Sequence, residues 1–240
     1  GIDLTVNKVS ATVQQFGTWT KITDFLDMTG KDPLVTEVSS MFGDHAGLSM
    51  DIVIRDIIAA GTNTQFANSR ASRATLAAGD VLTTTEIQKA RATMVKNNVK
   101  KLKLPNGQMG YLAFIHPDSA TTIFNLQEWK DQNTYVDVKN REAGIVGQMY
   151  GIYFMEANTA PTFTNGGAGG NLAGKSMIII GADAFGIPDI AGSSKPEIMV
   201  FTEGSTENPM GLYSTIAWKS TFTCARLQEL AILRCEYLNV

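Results

Sequence analysis

The chain has 240 residues, 44% of them hydrophobic, which is enough for one large domain or two small ones. Its 20 basic and 23 acidic residues give a net charge of −3, which argues against the global positive field of a nucleic-acid-binding protein. Apolar runs such as Met177–Ile180 are too short to span a bilayer, and the N-terminus shows no secretory signal, so we expect no membrane partner.

The N-terminal stretch Val9–Phe25 reads VSATVQQFGTWTKITDF, in which β-branched and aromatic residues dominate. Such residues favour extended structure, and we predict one half of a long hairpin arm. Because the chain starts at Gly1 rather than at Met, we expect a processed or incomplete N-terminus. An exposed arm this apolar needs a partner to cover it. The predicted contacts between subunits are Phe16, Trp19, Ile22 and Phe25.

A long helix is predicted next, over Pro33–Ala60, with Asp32 as its cap and Gly61 as its stop. Apolar residues recur at alternating spacings of four and three from Leu34 onward. The helix would be about 40 Å long at 1.5 Å per residue. A helix of this length must lie along a sheet or along a neighbouring molecule.

The rest of the chain predicts shorter elements of both kinds, and therefore an α+β class. A capping box at Thr83–Glu86 begins a helix, whose basic end we interpret as solvated rather than as a nucleic-acid site; its lysines are Lys96, Lys100, Lys101 and Lys103. A further helix starts at His116-Pro117 and runs to about Trp129. Extended segments are predicted at Thr64–Ala67, Tyr111–Ile115, Ile152–Glu156, Met177–Ile180, Glu197–Phe201, Leu212–Phe222 and Leu227–Tyr237.

The segment Gly169–Ser176, GGNLAGKS, fits the phosphate-binding pattern G-x-x-x-x-G-K-[ST]. A phosphate loop needs a strand before it and a helix after it, so that backbone N–H groups point at the phosphates. Here Met177–Ile180 favours a strand, and the glycine-rich Thr162–Ala168 favours a loop. We interpret the motif as a flexible surface loop that leads into a core strand.

No other residues form a recognisable catalytic, cofactor-binding or metal-binding constellation, so we expect no enzymatic activity and no cofactor. His45 falls on the apolar face of the long helix, and His116 precedes a proline where it would cap or turn. The carboxylate pairs Asp24 with Asp27 and Asp183 with Asp189 lie in an arm and a loop, whereas catalytic groups need a rigid setting. Cys224 and Cys235 form no C-x-x-C motif and are expected to be buried free thiols.

The order of these elements resembles a known family over roughly Val9–Tyr237. The segments that carry the resemblance are ATVQQFGTW before the long helix, YLAFIHPDSATTIFN, REAGIVGQMYGIYFMEAN and NPMGLYSTIAWKSTFTCARLQELAILRCEY. They resemble the major capsid proteins of tailed bacteriophages, specifically the family typified by phage N-four. That family is similar in fold to the Hong Kong 97 phage shell protein.

The resemblance implies a division into four parts. Residues 1–30 would be part of an extended loop, 31–82 a peripheral domain with the long spine helix, 83–202 an axial domain, and 203–240 the closing strands of the peripheral domain. The N-terminal arm and the outgoing strand of the extended loop that are usual in the family are not found here. Either those residues are missing from this sequence, or the loop is built differently.

The resemblance also implies a function. The chain would self-assemble as pentamers and hexamers into an icosahedral head that encloses double-stranded DNA without sequence-specific binding. Scaffold, portal and decoration proteins would be further partners, and the protein would reside in the virion and, during assembly, in the host cytoplasm. The apolar N-terminal arm is consistent with this function. An arm that its own subunit cannot bury would be buried by the next subunit, and this contact would repeat around a ring.

Three alternatives stay open at this point. One is a cellular nanocompartment shell of the same fold, which would need a cargo-binding surface. Another is a nucleotide-dependent enzyme that uses Gly169–Ser176, in which Lys175→Ala would abolish nucleotide binding. The last is a tail or decoration protein that forms small oligomers, with Trp19 as a binding hot spot.

Overall fold

The computed structural model describes residues 8–30, 33–104, 107–133, 144–188, 195–201 and 208–238. The helices are α1 (Asp24–Thr29), α2 (Leu34–Ala59), α3 (Thr84–Lys96), α4 (Pro117–Phe124) and α5 (Gln127–Asn133). The strands are β1 (Gln14–Thr23), β2 (Thr64–Phe66), β3 (Leu102–Lys103), β4 (Met109–Ile115), β5 (Ile145–Met149), β6 (Ile152–Glu156), β7 (Thr162–Gly166), β8 (Leu172–Ile180), β9 (Phe185–Gly186), β10 (Glu197–Phe201), β11 (Tyr213–Phe222), β12 (Ala225–Arg226) and β13 (Ile232–Leu238).

The chain divides into two compact units. The first comprises Gly1–Ile54 and Ile187–Ala225, and the second comprises Arg55–Gly186 and Arg226–Val240. Helix α2 therefore contributes residues to both units. The extended-loop, peripheral and axial boundaries inferred from the resemblance stay predictions.

The first unit contains a three-stranded antiparallel sheet in the order β1-β11-β10. Successive side chains of a strand point to opposite faces, so every second residue lies on the same side. One face packs with α2: the indole N–H of Trp218 donates to Nδ1 of His45 at 3.1 Å. Most of its β11 side chains are buried, whereas Ile198 and Val200 of β10 on the same face are 40% and 42% exposed. The other buried side chains of this inner face are Ile22, Ile216, Ser220 and Phe222, and Ala46 of α2 is fully buried.

The second unit is built on a larger mixed sheet in the order β2-β13-β8-β4-β6-β5. β4 pairs in parallel with β6 and β13 with β2, while the other pairs along this path are antiparallel. Strand β8 lies in the interior, and its run Met177–Ile180 is buried along its whole length. A continuous apolar run is what a strand covered on both faces requires.

Most predicted elements are found within a residue or two of their expected bounds. Helix α2 (Leu34–Ala59) corresponds to the predicted helix over Pro33–Ala60, and β6 has the predicted bounds Ile152–Glu156. The proposed helix cap, Asp32, lies outside the described residues. His45, which the sequence placed on the apolar face of the helix, is largely exposed, and its Nδ1 accepts a hydrogen bond from the indole N–H of Trp218.

Other predicted elements differ from the structure. The helix expected from His116 to Trp129 is two short helices, interrupted at Asn125 and Leu126. The expected loop at Thr162–Ala168 is largely strand β7, because it pairs with β8. The last strand begins only at Ile232, after a 3₁₀ turn, rather than at Leu227.

The capping-box pattern correctly predicted helix α3, but the reciprocal hydrogen bonds of a capping box between Thr83 and Glu86 do not form. Thr83 precedes the helix, but its side chain makes no capping hydrogen bond. The buried Glu86 carboxylate instead accepts from Lys89 Nζ at 3.0 Å and from Gln65 Nε2 at 3.1 Å. Tertiary partners thus replace the local reciprocal bond.

Two buried carboxylates of the second unit are held by arginines. Glu236 of β13 accepts from Arg73 Nε at 2.7 Å and Nη2 at 2.5 Å. Asp80, 3% exposed, accepts from Arg70 Nε at 2.8 Å and from the Ala77 N–H at 2.8 Å. A buried charge is tolerated only when it is paired and hydrogen-bonded in this way.

We predict that Asp80 makes the stability of the protein depend on acid pH. Burial would raise the pKa of the Asp80 carboxyl, but Arg70, the Ala77 N–H and Asn68 together hold that pKa below its usual value. A lowered folded-state pKa stabilises the fold above the unfolded value near 4, and this contribution is lost as the pH falls through the folded pKa. Asp80→Asn should therefore lower the free energy of unfolding by about 2 kcal/mol at pH 7.

Denaturant titrations followed by tryptophan fluorescence at pH 7, 5 and 3 would measure this difference. The gap between the wild type and Asp80→Asn should narrow as the pH approaches 3. A gap that stays constant from pH 7 to pH 3 would contradict the role of the ionised carboxylate.

Candidate functional site

The phosphate-loop pattern has a structural explanation in the second unit. The residues after Lys175 continue strand β8 rather than starting a helix, so the arrangement that binds phosphate does not form. A Cβ atom on Gly174 would lie 2.3 Å from Phe163 Cζ and 2.6 Å from the Tyr237 carbonyl oxygen. Glycine is therefore required there by packing. The expectation of a surface loop was wrong for this half of the motif, which belongs to the sheet.

The lysine of the pattern is committed to other partners. Its side chain is largely buried, and Nζ lies 2.9 Å from His116 Nδ1 and donates to the Asp118 carboxylate. The same His116 nitrogen caps α4 by accepting from the Asp118 N–H at 3.2 Å, as the sequence predicted. The hydrogen bond from Lys175 holds the pKa of Asp118 below its usual value. This ammonium group is part of a helix-start cluster.

The remaining candidate polar groups come together nowhere in the described ranges. Asp24 and Asp27 lie exposed on α1, Asp183 lies in a turn with positive φ, and Asp189 falls outside the described residues. Among the residues that the structure describes, no cluster of three His, Cys, Asp or Glu side chains could hold a metal ion. None of the described helices is long and apolar enough to cross a membrane.

The cysteines are buried and unpaired with each other, as predicted. Burial, with a smaller contribution from the nearby Glu86 carboxylate, raises the pKa of the Cys235 thiol far above its usual value. A thiol that stays protonated is a poor nucleophile, so this cysteine behaves as a core residue.

The face of the β1-β11-β10 sheet opposite Trp218, its outer face, carries the exposed side chains of Trp19, Lys21 and Phe201 among half-buried neighbours. Trp19, Ala217 and Met199 are directly opposite one another across the three strands. Lys21, Thr215 and Phe201 form the next row. Lys21 Nζ lies 4.3 Å from the ring centroid of Tyr213 and 5.4 Å from that of Trp19, in cation–π geometry. We call these residues, with Tyr213, the outer face.

The four predicted contact residues are separated by the structure. Trp19 is 61% exposed on the outer face, whereas Ile22 is 6% exposed on the inner face. Phe16 is half-buried, with its ring centroid 4.9 Å from that of Phe222. Phe25 lies on α1 rather than in an extended arm, and it is 77% exposed. Their contacts with neighbouring subunits stay predictions, and Trp19 and Phe25 present the apolar area that such contacts need.

A second uncovered apolar cluster adjoins α1. The Asp24 N–H donates to the Leu212 carbonyl at 2.9 Å, which joins α1 to the start of β11. Asn208 fixes the turn before β11 by donating to the Tyr213 carbonyl at 2.7 Å and accepting from the Leu212 N–H at 2.9 Å. We call the cluster the apolar tip; its exposed members are Phe25, Leu26, Met28, Met210 and Leu212.

Sequence reasoning missed the tip because its members come from two segments almost 200 residues apart. The run Asp24–Met28, DFLDM, carried part of the signal, since three of its five residues are apolar. Clusters of exposed apolar side chains are typical of sites of protein association.

Comparison with known proteins agrees with this conclusion. The family described as phage capsid protein matches residues 6–234. The capsid of Ralstonia phage GP4 superposes with a TM-score of 0.78 at 14% identity, covering 95% of this chain and 74% of that chain. The capsid of cyanophage Pam1 gives 0.69 at 11% identity, covering 95% and 75%. An encapsulin complex from Synechococcus elongatus, SrpI, gives 0.60 at 8% identity, covering 95% and 74%.

These structures confirm the α+β capsid fold of the Hong Kong 97 type that the sequence predicted. A search among curated proteins found no match to the sequence.

We predict opposite effects for two tryptophans of one sheet. Trp19→Ala on the outer face should change the free energy of unfolding by less than about 0.5 kcal/mol and should weaken self-association. Trp218→Ala on the inner face, where the side chain is 3% exposed, should cost about 3–5 kcal/mol. Denaturant unfolding and sedimentation velocity of both variants would test this. A large loss of stability in Trp19→Ala would contradict the assignment of an uncovered face.

We also predict that Lys175 has a structural role. Lys175→Met should lower the thermal midpoint, because His116 and Asp118 lose a shared partner. Neither the wild type nor this variant should bind ATP or GTP in equilibrium dialysis. Saturable nucleotide binding by the wild type that Lys175→Met abolishes would contradict this prediction.

Proposed function

From the premise that the chain belongs to the phage capsid protein family and is a shell protein, we propose that its copies form pentamers and hexamers. These close into an icosahedral head that encloses double-stranded DNA. The family match covers nearly the whole chain, and it supports a structural rather than an enzymatic role.

The observation that carries the proposal is the pair of uncovered surfaces on one unit. The outer face and the apolar tip expose large aromatic and aliphatic side chains that no described segment of the chain covers. A stable interface buries about 1,200–2,000 Å² in total and has an apolar core. A protein that meets copies of itself on several sides needs surfaces of this kind, and repetition of the contact under closed symmetry produces a shell.

The charge of the chain suits an enclosing rather than a gripping role towards DNA. A net charge of −3 supplies no broad positive surface that would neutralise phosphates. The exposed lysines at the end of α3 are few and follow one another locally, as expected for a solvated helix end. Packaged DNA, scaffold, portal and decoration proteins are proposed partners, and assembly is proposed to occur in the host cytoplasm before the protein becomes part of the virion.

A cellular nanocompartment shell is the second candidate, because the encapsulin complex shares the fold. The two functions differ in their contents: a phage head encloses DNA, whereas a nanocompartment encloses protein cargo. The family match favours the phage head.

We predict closed particles, or rings of five and six, when the purified chain is examined by negative-stain imaging and sedimentation, with scaffold protein supplied. Nuclease-resistant DNA inside particles recovered from infected cells would support the phage function. Particles that hold protein cargo and no such DNA would favour the nanocompartment. A stable monomer under the same conditions would contradict both.

A further inference from the structure

The two uncovered surfaces of the first unit differ in charge. The apolar tip carries Asp24 and Asp27, both exposed, and α1 has no basic residue in its last turn. Within the described part of the chain, neither carboxylate has a salt-bridge partner. The tip therefore combines apolar side chains with a local negative charge.

The outer face has the complementary character. Lys21 is exposed and rests on the rings of Trp19 and Tyr213, and no carboxylate among the described residues lies within salt-bridge distance of it. Lys219 lies on the same face and is paired with Glu197 at 3.5 Å, so it adds little net charge. The outer face thus combines aromatic side chains with the positive charge of Lys21, which lies on the edge strand β1.

We infer that the apolar tip of one copy docks on the outer face of the next copy, with the acidic residues of α1 facing Lys21. The inference rests on the proposed function, since it names which surfaces of a shell protein meet. It also assigns the two most exposed predicted contact residues, Phe25 and Trp19, to opposite sides of a single interface.

The charges decide between two ways in which copies could meet. A two-fold contact of tip against tip would bring Asp24 and Asp27 of both copies together, and like charges repel. A contact of tip against outer face pairs opposite charges and uses two different surfaces of each copy. Such a heterologous contact continues from copy to copy and closes into a ring when the rotation permits.

The apolar groups also complement each other. Met28, 76% exposed, and Phe25 would lie against the rings of Trp19 and Phe201. Thioether–aromatic and aromatic–aromatic contacts are favourable beyond the area that they bury, and Trp is one of the residue types enriched at interface hot spots. Lys21 is already oriented by its two aromatic neighbours, so it loses little freedom when a carboxylate approaches.

A charge exchange tests the pairing. Asp27→Lys and Lys21→Asp should each lower the assembled fraction at least tenfold at low ionic strength. The double variant, which exchanges the two charges, should restore it to within a few fold. Asp44→Lys changes an exposed acidic residue of α2 and serves as the matched control, with assembly unchanged. Failure of the double variant to exceed both single variants would overturn the pairing.

Chemical crosslinking tests the heterologous geometry independently of assembly yield. Met28→Cys places a thiol on the tip, and Thr215→Cys places one on the outer face. The native Cys224 and Cys235 are buried, so a bismaleimide should react chiefly with the introduced thiols. A crosslinked dimer is expected when the two variants are assembled together and not when either is assembled alone.

The outcomes separate the two proposals. Linkage by Met28→Cys alone would mean that tip meets tip, and it would overturn the heterologous contact. Closed particles without linkage in the mixture would overturn the docking and leave the shell function standing. Linkage in the mixture without closed particles would support the docking and count against the shell.

Discussion

The first unit has a three-stranded sheet with two faces, and its own helix α2 packs against β11 on one of them. On the inner face, Trp218, Ile216 and Phe222 are buried, with Ala46 of α2 also buried in the same unit. On the outer face, side chains of the same strands remain exposed because no described segment of the chain lies over them. Each strand contributes side chains to both faces, since alternate residues point to opposite sides of the sheet. The exposed aromatic side chains of the outer face are those that the proposed contact between copies would cover.

The second unit shows the opposite arrangement. Its larger sheet is buried along β8, and the carboxylates within it, Glu236 and Asp80, are held by arginines. Lys175 is another largely buried charged group with polar partners, because it contacts both His116 and Asp118 at the start of α4. These ion pairs satisfy the buried charged groups of the second unit, while the surfaces proposed for association lie on the first. The family match is consistent with this contrast, because a shell protein needs both a stable subunit and surfaces that bind neighbouring subunits.

The pattern GGNLAGKS illustrates why residue types alone do not define a site. The glycine and lysine of a phosphate loop act through a strand, a turn and a helix that present backbone N–H groups to an anion. In this chain Gly174 allows Phe163 to pack closely against the backbone, and Lys175 forms an ion pair. The three isoleucines that follow predicted the difference, because they favour a strand.

The sequence by itself determined the class of the fold, the long helix, most strand positions, the buried cysteines and the resemblance to phage capsid proteins. These depend on local preferences and hydrophobic periodicity, which are written in neighbouring residues. Tertiary structure alone decided that Ile22 lies inside and Trp19 outside, since the face of a strand is set by what packs on it. It also decided that Met210 and Leu212 join Phe25 in one exposed cluster, and that Glu86 bonds to Gln65 rather than to its own helix start. Such contacts join residues far apart in the chain, and a linear pattern carries no record of which distant segments meet.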